Sequence, residues 1–270
     1  MAEGGTQVAE VTHRKRGRSS DTGTASEKTL RVLEATAAPN GPHRLADIAA
    51  RAAVAKASTH RLLVMLAADG YVIAAGSGRY GVGPRLRTFA AQVAANDRLD
   101  ITQHLRELQQ AVGGHTVHLA LRSGNQCTYI QKIDGNQPYQ MASRIGMSIP
   151  LHCTAVGKAI LAFLPTEEVR TIVASAGLPA RTPATITDWR RLDAELAFIR
   201  ERGYAVDDEE NEATVRCIGA PVVDLSGRPI GGVSVTTVTF VATREQLESF
   251  VTDLMAIAAK IAKALVKADT

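Results

Sequence analysis

Apolar positions in the N-terminal third of the chain predict two short helices followed by a hairpin. They recur at spacings of three and four residues over 44–52 and over 56–69, which places each set on one helical face. Ala53-Val54-Ala55 forms the predicted turn between the helices, and Gly70 suits a left-handed cap. Two strand-like runs then flank Gly76-Ser77-Gly78, which is a hairpin signal. This order is typical of a winged helix-turn-helix, whose second helix fits the major groove of B-DNA.

Polar and basic side chains at the start of the second predicted helix support an interaction with DNA. Lys and Arg neutralise phosphates, and Arg also reads guanine edges. The candidate DNA-binding residues are Lys28, Arg44, Lys56, Ala57, Ser58, Thr59, His60, Arg61 and Arg79. The alternative interpretation of the same pattern is a small helical domain with an ordinary solvated face.

The distribution of charge favours the DNA-binding interpretation. Residues 1–90 carry a net charge of +6, whereas residues 91–270 carry −2. The basic excess therefore coincides with the predicted winged helix. Residues 1–25 contain the basic run 13–18 and few large apolar side chains, which predicts a disordered basic arm. Such an arm either adds phosphate contacts or keeps the chain in solution, and the composition fits both.

Length and composition narrow the class of protein. A chain of 270 residues that is 45% hydrophobic can bury a large core, which we expect to be divided between two domains. The three cysteines are odd in number and lack CxxC spacing, which argues against a disulfide framework or a Cys-rich zinc site. No apolar run approaches the ~20 residues of a membrane span, and no signal peptide is recognisable. We therefore expect a cytoplasmic protein without a membrane anchor, metal or other cofactor.

The remainder of the chain predicts a helical linker and a second domain. The linker helix is expected over 84–97, beginning with a proline that suits a first helical turn. A further helix ends at Gly113-Gly114, and alternating apolar residues over 117–121 predict a half-buried strand. More strands and helices follow, and Thr243 is expected to cap one long final helix. This order predicts an α+β domain with a largely antiparallel sheet over 98–270.

One segment of the second domain suggests a site for an anion. A helix is predicted to begin with Thr154 as its N-cap and to end before Pro165. Gly157 then lies in the first turn, where free backbone N–H groups and the helix dipole favour an anion such as a carboxylate. The alternative is structural: Gly157 only allows the helix to pack closely against a neighbour.

These segments resemble the IclR (isocitrate lyase regulator) family of bacterial transcription factors. Residues 146–162 meet every fixed position of the family pattern G-x-x-x-P-L-H-x-T-A-x-G-K-A-x-L-A. Residues 203–222 resemble a second shared block, and Leu45–Ala49 with Arg61–Leu63 match the winged helix. The resemblance extends over about 26–265 in the family order, which makes it far more specific than a single motif.

The resemblance implies a regulator with two functional domains. Family members join a winged helix, here 26–83, to a GAF-like effector domain, form dimers or tetramers and bind palindromic DNA sites. Small metabolites, often carboxylates, bind the effector domain and alter DNA binding. We expect this protein to be a repressor. The effector-binding positions implied here are Met147, Thr154, Ala155, Val156, Gly157, Asp207, Cys217, Ser234 and Thr236.

Three departures from the family pattern concern the turn, the DNA contacts and the effector. Ala53 stands where the family usually has a turn glycine. Ala57-Ser58 replaces the usual Ser-Thr, so different bases are expected to be read. The segment 234–237 keeps hydroxyl groups but is bulkier than the usual Ser-x-Ser-Gly, which leaves the effector open.

Other functional classes fit the sequence less well. An enzyme is conceivable because His152-Cys153 with Lys158 nearby suggests an activated thiol. Adjacent residues rarely offer the geometry that a general base needs, however, and no established catalytic motif is present. The acidic run 207–212 lacks convincing metal-ligand spacing and is expected to form a solvated turn. His115 and His118 are expected to face opposite ways. A DNA-compacting structural protein would not need the large second domain.

Overall fold

The computed structural model describes residues 23–96 and 101–268 and divides the chain into two compact units, with the boundary between 96 and 97. The basic arm predicted over 1–25 lies outside the described residues except for its last three. Of these, Thr24 caps the first helix, whose N3 residue Glu27 completes a reciprocal capping box.

The described part of the first unit contains four helices and three short strands. In chain order they are α1 (Ala25–Ala37), β1 (His43–Arg44), α2 (Leu45–Ala52), α3 (Lys56–Ala68), β2 (Val72–Ala74), β3 (Arg79–Val82) and α4 (Pro84–Asn96). The strands form an antiparallel sheet in the order β1-β3-β2. The predicted sequence of helix, turn, helix and hairpin is confirmed, and a helix begins at Pro84 where the linker helix is predicted.

The apolar stripes of α1, α2 and α3 meet in one small core. Val32, Ile48 and Leu63 are fully buried there, and Leu66 and Val72 pack against them. The spacing of these residues explains the fold, because each helix can bury its apolar face only against the other two. The polar face of α3 is consequently left on the surface.

Two left-handed residues set the ends of α2 and α3. Gly70 has φ +75°, as predicted, at no steric cost. Ala53 has φ 51° and ψ 42°, and its backbone N–H donates to the last turn of α2. An L-residue with a Cβ atom is disfavoured in this region. The turn therefore adopts the conformation that a glycine would adopt more readily.

The described part of the second unit contains six helices and six strands. They are α5 (Ile101–Ala111), β4 (Thr116–Ser123), β5 (Gln126–Ile133), β6 (Ser148–Pro150), α6 (Ala155–Ala162), α7 (Thr166–Ala176), α8 (Trp189–Arg202), β7 (Ala205–Asp208), β8 (Val215–Val223), β9 (Pro229–Val238), α9 (Arg244–Glu248) and α10 (Val251–Ala268). The sheet order is β6-β5-β4-β9-β8-β7, and every strand pair in the described residues is antiparallel. The predicted α+β class with an antiparallel sheet is confirmed.

Helices cover both faces of this sheet. One core cluster joins α5, α9 and α10 to Val117, Leu119 and neighbouring strand residues. A second cluster joins α6, α7 and α8 to Ala120 and Cys127 on the opposite face. The prediction of a half-buried strand over 117–121 is therefore wrong for β4, which is covered on both sides over most of its length. Alternation in sequence does not reveal that the face of β4 that carries a polar residue such as His118 is also covered.

The end of the chain differs from the predicted single helix. Thr243 caps a helix as predicted, but α9 ends at Glu248 and α10 begins at Val251. The backbone N–H of Phe250 donates to Leu247 instead of continuing the α-helical pattern. The interruption places Leu247 in the core while the Phe250 ring contacts the edge of His115, with ring centroids 5.9 Å apart. No helix in the described residues is both long and apolar enough to cross a membrane.

We expect Ala53→Gly to stabilise the first unit by about 0.5–1 kcal/mol. Glycine removes the steric cost of the left-handed turn, and its greater freedom in the unfolded chain offsets part of that gain. Hydrogen–deuterium exchange in peptides from α2 and α3 measures the change. Ala50→Gly, on the exposed face of α2, is the matched control and should destabilise by about 1 kcal/mol. Faster exchange in Ala53→Gly would contradict the assignment of strain to this residue.

Candidate functional site

Polar side chains from four neighbouring strands form two rows on one face of the large sheet. The strand register pairs Asp207 with Cys217 and Cys217 with Thr236, so these residues form one row across β7, β8 and β9. Ser234 of β9 pairs with His118 of β4 in the second row. Because side chains on one strand that are two residues apart share a face, both rows point toward the start of α6.

The first turn of α6 lies over these rows. Thr154 is the N-cap as predicted: its hydroxyl accepts a hydrogen bond from the Gly157 N–H at 3.1 Å and donates to the Pro150 carbonyl at 2.7 Å. The backbone N–H groups of Ala155 and Val156 have no acceptor among the described residues. They are the free donors that a helix N-terminus provides, together with the positive end of the helix dipole.

Two glycines permit this arrangement. A Cβ atom at Gly219 of β8 would lie 2.7 Å from the Ala155 carbonyl carbon, so only glycine lets α6 approach the sheet this closely. A Cβ atom at Gly157 would lie 2.4 Å from the Leu151 carbonyl oxygen. Gly157 therefore supports the packing interpretation of the sequence, and its own N–H is already bonded to Thr154.

The rows of side chains and the helix start enclose a cavity of about 60 Å³. The predicted residues that line it are Met147, Thr154, Ala155, Val156, Asp207, Cys217, Ser234 and Thr236. Gly157 does not line the cavity, because its α-carbon faces the backbone of Leu151. We therefore correct its role from ligand contact to support of the helix. The volume has room for roughly four or five water molecules, so it fits only a very small molecule in this conformation.

His118 and Tyr129 also line the cavity, and sequence analysis does not single them out as site residues. Their rings stack with centroids 4.5 Å apart. The His118 imidazole contacts the Ser143 hydroxyl at 2.8 Å through Nε2 and the Thr236 hydroxyl at 3.4 Å through Nδ1. Burial lowers the pKa of His118 to about 3, so the ring is neutral and both donates and accepts. The sequence contained one indication of this role. His118 lies two residues before Ala120, so the two side chains share a face of β4.

The segment 134–147, between β5 and β6, covers the cavity. Met141, Ala142, Ser143 and Met147 of this segment line the cavity. Lys132 of β5 anchors this segment, because its ammonium group donates to the carbonyls of Met141 at 3.0 Å and Ser143 at 2.7 Å. The cover is thus attached by polar contacts and not by a large apolar core.

Asp207 orders the acidic turn that closes the cavity. Its buried carboxylate accepts hydrogen bonds from the backbone N–H groups of Glu210 at 2.8 Å and Asn211 at 3.3 Å. Burial, together with the negative charge of Glu210, raises the pKa of Asp207 to about 7. The run 207–212 therefore forms a partly buried turn and not the solvated one predicted. No group of residues suited to a metal ion is found in the described parts of the chain.

The surroundings of Cys153 do not match those of an activated thiol. Burial raises its pKa to about 12, whereas a nucleophilic cysteine requires a lowered one. His152 is directed to the Pro179 carbonyl at 3.1 Å. Lys158, the cation suggested by the sequence, is itself fully buried and forms an ion pair with Glu210 and a contact of 3.4 Å with Glu195.

The exposed face of α3 carries most of the predicted DNA contacts of the first unit. Lys56, Ala57, His60 and Arg61 are exposed, and Ser58 is half-buried within 3.4 Å of the Arg61 guanidinium. Thr59, in contrast, is fully buried.

The Thr59 hydroxyl lies 3.3 Å from the Val54 carbonyl and 3.2 Å from the Ala55 carbonyl, to which it donates. It therefore ties α3 to the turn and cannot reach DNA. We correct its assignment as a DNA contact.

The remaining predicted DNA contacts lie on other elements of the same unit. Arg79 on β3 donates to the Pro42 carbonyl at 3.0 Å, so its guanidinium already has one protein partner. Arg44 is exposed immediately before α2, and Lys28 is half-buried in α1.

A larger cleft of about 540 Å³ lies on the other side of β6, against α7. Asn125, His152 and Arg181 contribute polar groups to its walls, but it contains none of the predicted effector residues. Its size and these polar groups alone do not identify a ligand.

Both units match models of one family. Residues 25–73 match the IclR helix-turn-helix domain, and residues 94–263 match the domain described as bacterial transcriptional regulator IclR C-terminal.

Individual relatives extend this match over most of the chain. The probable transcriptional regulator SauR of Cupriavidus necator is 34% identical over 88% of this chain and 96% of its own. The transcriptional repressor IclR of Escherichia coli is 31% identical over 77% of each chain. The fold is also that of a solved IclR homolog from Microbacterium hydrocarbonoxydans complexed with 4-hydroxybenzoate. It has a TM-score of 0.75 and 24% identity, covering 91% of this chain and all of that one.

We expect the stability of the second unit to fall as pH rises through about 7, because of Asp207. Its pKa is higher in the folded state than in the unfolded chain, where it is about 3.9. Its favourable contribution is therefore complete below pH ~4 and is lost as the folded-state carboxyl ionises. Asp207→Asn keeps an oxygen for the two backbone N–H groups but cannot ionise. The variant should melt a few degrees higher than the parent at pH 8 and show a flatter pH dependence.

Thermal denaturation followed by circular dichroism between pH 5 and 8.5 measures the effect. Asp193→Asn, which removes an exposed carboxylate from α8, is the control and should follow the parent. Parallel pH profiles for Asp207→Asn and the parent would show that Asp207 does not titrate in this range.

Proposed function

Because the chain belongs to the IclR family of bacterial transcriptional regulators, we propose that it binds specific DNA sites under the control of a small carboxylate. The first unit binds the DNA and the second unit binds the carboxylate. The observation that carries the proposal is the pairing of an exposed basic helix in one unit with a polar cavity in the other. Catalysis is not part of it, since no activated nucleophile was found at the position suggested by the sequence.

The DNA-binding half of the proposal rests on α3. Its buried face is committed to the core of the unit, so its exposed face with Lys56, His60 and Arg61 is available to a partner. The charge of this face suits phosphates, and the width of the major groove suits a helix. Arg44 and Arg79 add positive charge on neighbouring elements.

The effector half rests on the start of α6. The free N–H groups of Ala155 and Val156 suit a carboxylate, and the hydroxyls of Ser234 and Thr236 suit its other polar groups. The Microbacterium homolog is a relative complexed with an aromatic carboxylate, 4-hydroxybenzoate. Asp207 is less suited to contact an ionised carboxylate, because its accepting oxygen is engaged by its own turn and two anions repel. It would instead face a hydroxyl group of the ligand.

The small volume of the cavity implies that the cover moves when an effector binds. A ligand of more than about four heavy atoms requires Met147 or the rest of segment 134–147 to shift. A shift of residues 141–143 breaks the contacts of Lys132 and His118 with this segment. Effector binding is thereby coupled to the conformation of the segment.

We further propose that the protein is a repressor that acts as a dimer or tetramer on palindromic operators. The E. coli relative is named a transcriptional repressor. A twofold-symmetric oligomer presents two copies of α3 to two half-sites, which is the physical reason for a palindrome. Binding to chromosomal DNA places the action in the bacterial cytoplasm.

We expect Lys56→Ala/Arg61→Ala to weaken operator binding by at least about tenfold at physiological salt. Both side chains lie on the exposed face of α3, and each phosphate contact that is lost reduces the salt dependence of log K by roughly one unit. Fluorescence anisotropy over a range of salt concentrations measures affinity and slope. Arg191→Ala, which removes an exposed charge from α8, is the matched control. Normal affinity in the double variant would exclude α3 as the DNA-binding element.

We expect Ser234→Ala to weaken effector binding by about 1–3 kcal/mol, because it leaves a polar group of the ligand without a partner in a buried cavity. A thermal-shift screen of small carboxylates, each paired with its primary amide, first identifies a ligand. The amide should bind more weakly, since a helix N-terminus favours an anion. Calorimetry then compares the full-length parent, Ser234→Ala and the control Ser175→Ala, which is exposed on α7. Equal affinities in all three proteins would place the effector elsewhere.

A further inference from the structure

The exposed arc of α3 has two apolar residues at its centre. At about 100° per residue, Ala57 and Val64 lie within about 20° of each other around the helix. On the same scale, His60 and Arg61 lie about 50° to either side of the line that joins them. The residues that point most directly away from the core are therefore apolar, and the polar residues flank them.

Val64 is not part of the hydrophobic core. Its side chain is 53% exposed, whereas Leu63 beside it is fully buried. Met65 is 46% exposed, but it lies about 90° from the centre of the arc. The apolar surface of Val64 is thus left exposed on the same side of α3 as the basic residues of its first two turns.

We propose that Ala57 and Val64 determine operator sequence by contacting the 5-methyl groups of two thymines. Thymine is the base that presents a methyl group in the major groove, and small apolar side chains recognise it. The inference rests on the proposed function of α3. It goes further because it assigns sequence selection to residues without polar groups.

The spacing of the two residues defines the pattern of bases. Seven residues of α-helix rise about 10.5 Å, which is roughly three base-pair steps of 3.4 Å along the groove. The two thymines are therefore about three base pairs apart, on whichever strands bring their methyl groups to the helix. Arg61 lies between them along the helix axis, where it can reach a guanine.

Charge identifies duplex DNA, and not another protein surface, as the occupant of this arc. Lys56, His60 and Arg61 lie on the exposed face of the first two turns of α3, beside Ala57, and no acidic side chain lies among the exposed residues of the helix. A polyanion with methyl groups in its groove matches both features, whereas an apolar protein surface would leave the charges unpaired.

Replacement of thymine by deoxyuridine tests the proposal, because it removes only the methyl group. The full-length protein first selects an operator from a library of random duplexes, and each thymine is then replaced in turn. We expect two positions about three base pairs apart at which the affinity falls roughly fourfold, as for the loss of one buried methyl-sized group. At one position Val64→Ala should abolish the difference between thymine and deoxyuridine, and at the other Ala57→Ser should do so.

Met65→Ala is the matched control and should keep the full sensitivity to both replacements. Insensitivity of a selected operator to every deoxyuridine replacement would overturn the inference while leaving sequence-specific binding intact. Sensitivity that persists in both variants would also overturn it, as would a change of oligomeric state in Val64→Ala without a change in thymine preference. Failure to select any sequence would refute the proposed function itself.

Discussion

The architecture of the second unit depends on the close approach of α6 to the sheet. A Cβ atom at Gly219 would collide with the backbone of Ala155 and Val156, and one at Gly157 would collide with Leu151. Both glycines are therefore required by contact distances and not by unusual backbone angles. Their combined effect is to bring two free backbone N–H groups over the polar rows of β8 and β9. A larger residue at either position would move the helix start away, and the cavity would lose these backbone donors.

The elements that could be predicted from the sequence are those that local patterns define. Helices α2 and α3, the hairpin after them and the cap at Thr154 follow from spacing and from turn chemistry within short segments. The effector residues implied by the family resemblance also line one cavity, except for Gly157, because β7, β8, β9 and the start of α6 meet there. The assignment of Thr59 as a DNA contact is wrong for a physical reason. A hydroxyl on an apolar helical face can form a buried hydrogen bond to the preceding turn as easily as a contact at the surface.

Features that depend on distant partners could not be predicted in this way. The sequence suggests that Lys158 is a cation close to Cys153. In the structure Lys158 forms a buried ion pair with Glu210, which lies 52 residues further along the chain. His118 looks like one polar residue of a half-buried strand, but segment 134–147, distant in sequence, covers it within the cavity. The break between α9 and α10 likewise depends on the position of His115 and of the core. No residue near the break in sequence indicates it.

The proposed function requires the two units to bind anions in physically different ways. The start of α6 is buried, so two neutral N–H groups and a dipole would suffice for the proposed carboxylate, because little water competes and the field is weakly screened. The exposed face of α3 meets water and salt, where dipoles are screened, so it carries full positive charges on Lys56 and Arg61. A charged lysine in the small cavity would bind many anions strongly and without discrimination. Neutral donors would make binding depend on the shape and on the second polar group of the ligand.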